Sequence, residues 1–119
     1  MKQIAITISN NNMVFRLNAS EKLMLVTIDS GRINSKQLVP LKGKDPFRLI
    51  DIIFQLKPDI LICGGLTKLC EYKLSHSNIK LIPWIKCNAE YILSLCLKNT
   101  LIEGYYYKDN YKSSYRSYA

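Results

Sequence analysis

The chain of 119 residues lacks the residue combinations that define most small metal, nucleotide and hydrolytic sites. It has one histidine and four cysteines, and no two cysteines have the two-residue spacing of zinc ribbons and dithiol redox motifs. Among its five glycines there is neither a Walker-type phosphate loop nor a dinucleotide-binding fingerprint. No clustered pair of carboxylates stands out, which argues against a metal-dependent nuclease.

Long hydrophobic runs are also missing. The longest uncharged apolar stretches, Ile60–Leu66 and Leu81–Ile85, are the length of strands and fall short of the ~18 residues that a membrane-spanning helix needs. The apolar run Ile4–Ile8 near the N-terminus is too short for a secretory signal peptide. We therefore expect a cytoplasmic protein that has no membrane partner and whose cysteines remain free thiols.

The composition is that of one folded domain with a basic surface. Hydrophobic residues make up 48% of the chain, which excludes a disordered sequence. The formal net charge is +8, and it is divided evenly: residues 1–60 carry nine Lys or Arg against five Asp or Glu, and residues 61–119 carry eight against four. A spread charge of this kind allows nucleic acid, phosphate or an anionic metal cluster as partner, and it also suits a basic surface with no specific meaning.

Hydrophobic periodicity predicts five strands and three helices in the order β-β-β-α-β-α-β-α. The strands are predicted at Gln3–Ile8, Lys22–Asp29, Arg32–Val39, Asp59–Cys63 and Ile79–Ile82, with a Ser30-Gly31 hairpin turn and the third strand at an edge. The helices are predicted at Phe47–Lys57 after Asp45-Pro46, at Leu66–Ser75 with a left-handed Asn78 at its end, and at Ala89–Leu97 after Asn88. One mixed five-stranded α/β sheet with helices on both faces accommodates this order.

A ligand is expected where the parallel strands end, because open α/β sheets bind ligands beyond the carboxyl ends of their strands. Here that region consists of Cys63-Gly64-Gly65 and Trp84–Asn88. A helix beginning near Leu66 would direct its positive end at Cys63 and lower the pKa of the thiol, which makes Cys63 a candidate ligand of a soft metal or an iron–sulfur cluster. The alternative is that Cys63 is a buried strand residue and that the glycines only form a tight turn.

Several blocks of the sequence, in their order and spacing, resemble the dinitrogenase iron–molybdenum cofactor biosynthesis family of small cluster-binding domains. The strongest are the segment Pro58–Gly65, which ends in Cys-Gly-Gly, and the segment Ile79–Ile85, which contains Ile-Pro-Trp. The remaining blocks are Lys2–Ile6, Val14-Phe15, Leu25–Gly31, the helix after Asn88, and Asn99-Thr100-Leu101. The resemblance covers residues 1–103.

The resemblance implies a ribonuclease H-like sheet and a carrier, without catalysis, for an iron–molybdenum cofactor, an iron–sulfur cluster or a precursor of either. It implies a cluster-facing turn formed by Cys63, Gly64 and Gly65, with Cys63 as the metal ligand and Phe15 in the loop beside it. Cys87 is added as a cofactor-binding residue. Relatives often have Cys-Gly or a Gly-containing turn after the Trp, and here Lys86-Cys87 stands in that region, so that a Cys is present one place later. A protein that donates or accepts the cluster is the implied partner.

Residues 104–119 lie outside the resemblance and are predicted to form a flexible tail rich in Tyr, Lys and Ser. Interleaved tyrosines and basic residues could stack on bases and contact phosphates, so a nucleic-acid- or phosphate-binding module is the alternative function. A degenerate family member that binds no cluster and acts as a scaffold for a partner is a third reading.

Overall fold

The computed structural model describes residues 2–41 and 45–97, except for the side chains of Pro46 and Phe47. The predicted tail at 104–119 and the end of the predicted domain at 1–103 lie outside these residues. The strands are β1 (Lys2–Ile8), β2 (Lys22–Asp29), β3 (Arg32–Pro40), β4 (Ile60–Ile62) and β5 (Lys80–Ile82). The helices are α1 (Pro46–Leu56), α2 (Lys68–Ser75) and α3 (Ala89–Leu97), and a short 3₁₀ turn spans Leu17–Ala19.

The five strands form one mixed sheet in the order β3-β2-β1-β4-β5. β2 is antiparallel to β1 and β3, whereas β4 is parallel to both β1 and β5. Ser30 and Gly31 join β2 to β3 with φ values of 53° and 78°, as a tight two-residue hairpin turn requires. β3 is an exposed edge strand, and its Lys36 forms an ion pair with Glu90 of α3. The prediction of a mixed α/β sheet is confirmed.

Two hydrophobic cores lie on opposite faces of this sheet, because successive side chains of a strand point to opposite faces. On one face Ile4, Ile6 and Ile8 of β1 pack with Ile92 and Leu93 of α3. We call this the α3 core. The core on the other face includes residues of β1, β2, β4, α1 and α2, and we call it the α1–α2 core. Its fully buried members include Ala5, Leu23, Leu49, Ile53, Leu61, Cys63 and Leu74.

Side-chain caps explain where the helices begin. The Asp45 carboxylate accepts a hydrogen bond from the Arg48 N–H at 2.9 Å, and the Asn88 Oδ1 accepts one from the Glu90 N–H at 2.8 Å. Both caps agree with the sequence prediction. Within the described residues, no helix has the length and hydrophobicity that a membrane span needs.

The second helix ends at Ser75 as predicted, but its start and the conformation of Asn78 differ from the prediction. It begins at Lys68 rather than Leu66, because the Thr67 hydroxyl caps it by accepting a hydrogen bond from the Cys70 N–H. Asn78 does not adopt a left-handed conformation. The four non-glycine residues with positive φ in the described part of the chain are Asn12, Ser30, Lys57 and Trp84.

Candidate functional site

A cleft opens at the edge of the sheet where the parallel strands β1, β4 and β5 end. The loop after β1 leads toward β2 on one side, whereas the loop after β4 leads to α2 on the other. Such a divergence of neighbouring loops is the usual ligand position in open α/β sheets. The cavity there, which we call the carboxyl-edge cleft, has a volume of about 480 Å³. It is lined by Val14, Phe15, Arg16, Gly64, Gly65, Trp84, Ile85 and Lys86.

One wall of the cleft is formed by residues 14–17, which cross the ends of the strands. We call them the crossing segment. The Phe15 N–H donates to the Thr7 carbonyl at 2.9 Å, and the Phe15 carbonyl accepts from the Thr7 hydroxyl at 2.8 Å and from the Gly64 N–H at 2.9 Å. The Leu17 N–H donates to the Gly65 carbonyl at 2.9 Å. Thr7 is fully buried. These bonds fix the crossing segment against both β1 and the turn after β4.

Gly64 is required by the close approach of the crossing segment. A Cβ atom on Gly64 would lie 3.0 Å from the carbonyl carbon of Phe15 and 3.1 Å from the amide nitrogen of Arg16. Both atoms are backbone, and the hydrogen bond from Gly64 to Phe15 holds them in place. Only glycine therefore allows the two chain segments to meet at this distance.

Gly65 faces the indole ring of Trp84. A Cβ atom on Gly65 would come within 3.0 Å of the Trp84 Cζ3 atom. Trp84 has a φ of 65°, its N–H donates to the Gly64 carbonyl at 3.0 Å, and its side chain is 47% exposed. The backbone of Trp84 is thus held by β4, whereas its ring lies over Gly65 at the surface.

The cleft is aromatic and positively charged. Arg16 and Lys86 are exposed in its lining, and the Arg16 guanidinium carbon lies 5.5 Å from the centre of the Phe15 ring. None of the described residues that line the cleft is Asp, Glu, His or Cys. Two cations that no lining carboxylate neutralises favour an anionic ligand.

A second cavity, of about 320 Å³, adjoins the cleft. Arg16, Gly65 and Trp84 belong to the lining of both cavities. The remaining walls of the second cavity are Asn18, Ala19, Leu66 and Thr67, the last of which caps α2.

Cys63 does not line the cleft. Its side chain is fully buried in the α1–α2 core, one residue before the turn that faces the cleft. Burial raises the pKa of the Cys63 thiol to about 12, and the neighbouring Cys70 and Glu71 add to the shift. The expectation of a lowered pKa is wrong, because desolvation dominates and α2 begins five residues after Cys63. The role of Cys63 as a metal ligand stays a prediction.

The other cysteines are also separate from the cleft. Cys87 is buried in the α3 core, on the opposite face of the sheet from Cys63, and its carbonyl accepts a hydrogen bond from the Val14 N–H at 2.8 Å. Burial raises the pKa of the partly buried Cys96 thiol to about 11. Among the described residues, no three His, Cys, Asp or Glu side chains form a group that could hold a metal ion.

The buried Cys63 thiol makes stability depend on pH in the alkaline range. Its pKa rises from 9.0 to about 12 on folding, so both states carry the neutral thiol below pH 9.0. Above that pH the unfolded state ionises first, and the free energy of unfolding falls by up to about 1.4 kcal/mol per pH unit. We expect urea titrations between pH 9 and about pH 11 to show this loss. In Cys63→Ala the loss should be smaller, and equal slopes in the two proteins would contradict the assignment.

The structure brings together three of the predicted site residues, Phe15, Gly64 and Gly65, and leaves Cys63 and Cys87 in the two cores. Sequence reasoning located the region after Trp84 but did not single out Arg16 or Lys86. A basic residue directly follows both Phe15 and the apolar pair Trp84-Ile85, and this repetition was the signal available in the sequence.

Comparison with known proteins identifies the fold. No protein-family model matches the chain, and no curated protein matches it significantly. A protein named PH0822 superposes with a TM-score of 0.76 at 14% identity, over 91% of this chain and 99% of its own. The candidate dinitrogenase MJ0327 of Methanocaldococcus jannaschii gives 0.71 at 15% identity, over 86% and 93%. The orange protein of Desulfovibrio gigas, solved in its apo form, gives 0.67 at 13% identity, over 87% and 92%. The chain therefore shares the mixed α/β fold of these proteins.

Proposed function

We propose that this chain is a non-enzymatic carrier whose cargo is an anionic metal–sulfur cluster, either an iron–molybdenum cofactor, an iron–sulfur cluster or a precursor of one of them. The observation that carries the proposal is the carboxyl-edge cleft, in which Arg16 and Lys86 face no acidic lining residue among those described. Metal–sulfur clusters are commonly anionic and polarisable, and they suit a site of cations, aromatic rings and glycine backbone.

The fold and the sequence blocks support the same assignment. We place the chain in the dinitrogenase iron–molybdenum cofactor biosynthesis family and its sheet in the ribonuclease H-like class. The Cys-Gly-Gly and Ile-Pro-Trp blocks that carry the resemblance contribute Gly64, Gly65 and Trp84 to one cleft. A dinitrogenase-related protein and the orange protein have the same fold.

The cleft would hold its cargo by charge and contact rather than by thiolate bonds. The described lining residues offer no sulfur or carboxylate ligand, and the raised pKa of Cys63 keeps its thiol protonated at neutral pH. Arg16 and Lys86 would neutralise the cargo, and the ring of Trp84 would contact its surface. Cargo held in this way can leave without breaking a metal–thiolate bond, which favours transfer to an acceptor protein.

A carrier agrees better than an enzyme with the residues of the cleft. General acid–base catalysis needs a side chain that titrates near neutral pH, and nucleophilic catalysis needs an activated Ser, Cys or Lys beside a base. The lining described here has only an Arg and a Lys as ionisable groups, both exposed. The nucleic-acid alternative relied on the segment 104–119, which lies outside the described residues, and it stays a prediction.

Anaerobic reconstitution tests the proposal. The protein is incubated with ferrous iron and sulfide or, in a separate sample, with tetrathiomolybdate, and is desalted before visible absorption and metal content are measured. We expect about one equivalent of cargo per chain, retained in Cys63→Ser, because the cleft residues supply the binding. No retained absorption with either preparation would contradict a carrier. A band that is lost in Cys63→Ser would instead make Cys63 the ligand.

A further inference from the structure

The indole ring of Trp84 borders both the carboxyl-edge cleft and the second cavity. The two cavities, of about 480 Å³ and 320 Å³, have Arg16, Gly65 and Trp84 in common. Of these three, Trp84 places its ring against Gly65, since a Cβ atom there would lie 3.0 Å from Cζ3 and 3.5 Å from Cη2. The ring therefore lies against a residue that both cavities share.

Hydrogen bonds of the backbone hold Trp84 in place. The backbone of Trp84 is fixed by its hydrogen bond to Gly64, and the following residue, Ile85, donates to the Cys63 carbonyl at 3.0 Å. Trp84 is 47% exposed, and a change of its side-chain rotamer would break neither of these backbone bonds. Trp84 also has a φ of 65°, a conformation that costs a bulky residue energy and that is often found at functional positions.

Gly65, against which the ring lies, also offers a backbone donor. The Gly65 carbonyl accepts from Leu17, but the Gly65 N–H donates to no acceptor in the part of the chain that the structure describes. An unpaired amide in a partly buried position is a favourable contact for an anion, since backbone N–H groups otherwise find partners. A ligand could make full contact with Gly65 only after the ring has moved away from it.

We propose that Trp84 is a movable gate: an anionic metal–sulfur ligand displaces the indole from Gly65, joins the two cavities into one site and contacts the Gly65 N–H. The proposal rests on the carrier function above and names the residue that limits the size of the cargo. The open state has the higher affinity for the ligand, because only the open state offers the contact with Gly65. A ligand can shift the populations of two states only through such a difference in affinity.

Nuclear Overhauser spectroscopy of the labelled full-length protein tests the gate directly. In the free protein we expect a cross-peak between the Cζ3 proton of Trp84 and the α protons of Gly65. Saturation with diamagnetic tetrathiomolybdate should abolish this cross-peak and shift the Gly65 amide proton downfield. Binding is measured in parallel by equilibrium dialysis. Saturated protein that keeps the cross-peak would overturn the gate and leave the carrier function standing. No binding of tetrathiomolybdate in dialysis would overturn the gate, and it would contradict the carrier function only if iron and sulfide are not retained either.

A kinetic experiment removes the ring without introducing backbone strain. Trp84→Gly deletes the indole ring, and glycine accepts the positive φ of this position. Because the ring lies against Gly65 in the structure, the proposal makes the open state a minor one of about 10% or less, and association of tetrathiomolybdate should accelerate by at least about tenfold. Tyr72→Ala removes another exposed aromatic ring, on α2 and outside both cavities, and should leave the rate unchanged. Equal association rates in wild type and Trp84→Gly would overturn the proposal.

Discussion

Replacing Gly64 by alanine should lower the free energy of unfolding by about 2 kcal/mol, the usual cost of forcing a methyl group into a packed region. The added Cβ would lie 3.0 Å from the carbonyl carbon of Phe15 and 3.1 Å from the nitrogen of Arg16. These atoms cannot move without lengthening hydrogen bonds that Phe15 makes to Thr7 and Gly64. Urea denaturation followed by circular dichroism measures the loss.

Gly65→Ala is the matched control, because it adds the same methyl group one residue later. Its Cβ would meet the side chain of Trp84 instead of backbone, and an exposed ring can move by a few tenths of an ångström. We expect a change in stability below about 0.5 kcal/mol, as for other surface positions. A loss in Gly65→Ala as large as that in Gly64→Ala would mean that the crossing segment does not fix the geometry of the turn.

Reversing the charge of Arg16 should weaken the binding of tetrathiomolybdate about a hundredfold at low salt. Replacing the cation by Glu changes the local charge by two units beside a divalent anion, which amounts to about 2–3 kcal/mol for exposed groups some 6 Å apart in water. Lys86→Glu should have a similar effect, because Lys86 is the second cation of the cleft. Equilibrium dialysis at several salt concentrations measures both, and the difference from wild type should shrink as screening increases.

Lys2→Glu supplies the control for net charge. It changes the charge of the protein by the same two units, but Lys2 is exposed at the start of β1, whereas the cleft lies beyond the end of that strand. A strand of seven residues spans about 20 Å, twice the screening length at 0.1 M salt. We expect less than about a twofold effect at that salt. Equal losses of affinity in Lys2→Glu and Arg16→Glu would mean that the net charge of the protein, and not the cleft, determines the binding.

Local signals in the sequence were sufficient for most of the fold. The alternation of Ile4, Ile6 and Ile8 predicted β1 because it reflects a strand with cores on both faces. Asp45-Pro46 and Asn88 predicted helix starts because a side-chain cap acts over three residues and needs no tertiary context. The same reasoning failed at α2, where Thr67 competes with the apolar pattern that begins at Leu66 and stops the helix from extending toward Cys63.

The site was harder to predict because its chemistry depends on burial, which one sequence reveals poorly. The sequence placed Cys63 at the correct end of β4 but could not show that its side chain points into the α1–α2 core. Arg16 and Trp84 become neighbours only through the hydrogen bonds that bring the crossing segment to Gly64 and Gly65. Such long-range contacts have no local signature.

The crossing segment also determines when the cleft can exist during synthesis. Its bonds join Val14 to Cys87 at one end and Leu17 to Gly65 at the other, so both ends depend on residues that are translated much later. The β2–β3 hairpin can pair on β1 early, since all three strands lie within the first forty residues. A nascent chain that stops before Cys87 would therefore carry Arg16 without a complete cleft. A ligand of this cleft could therefore bind only after the chain as far as Cys87 has left the ribosome.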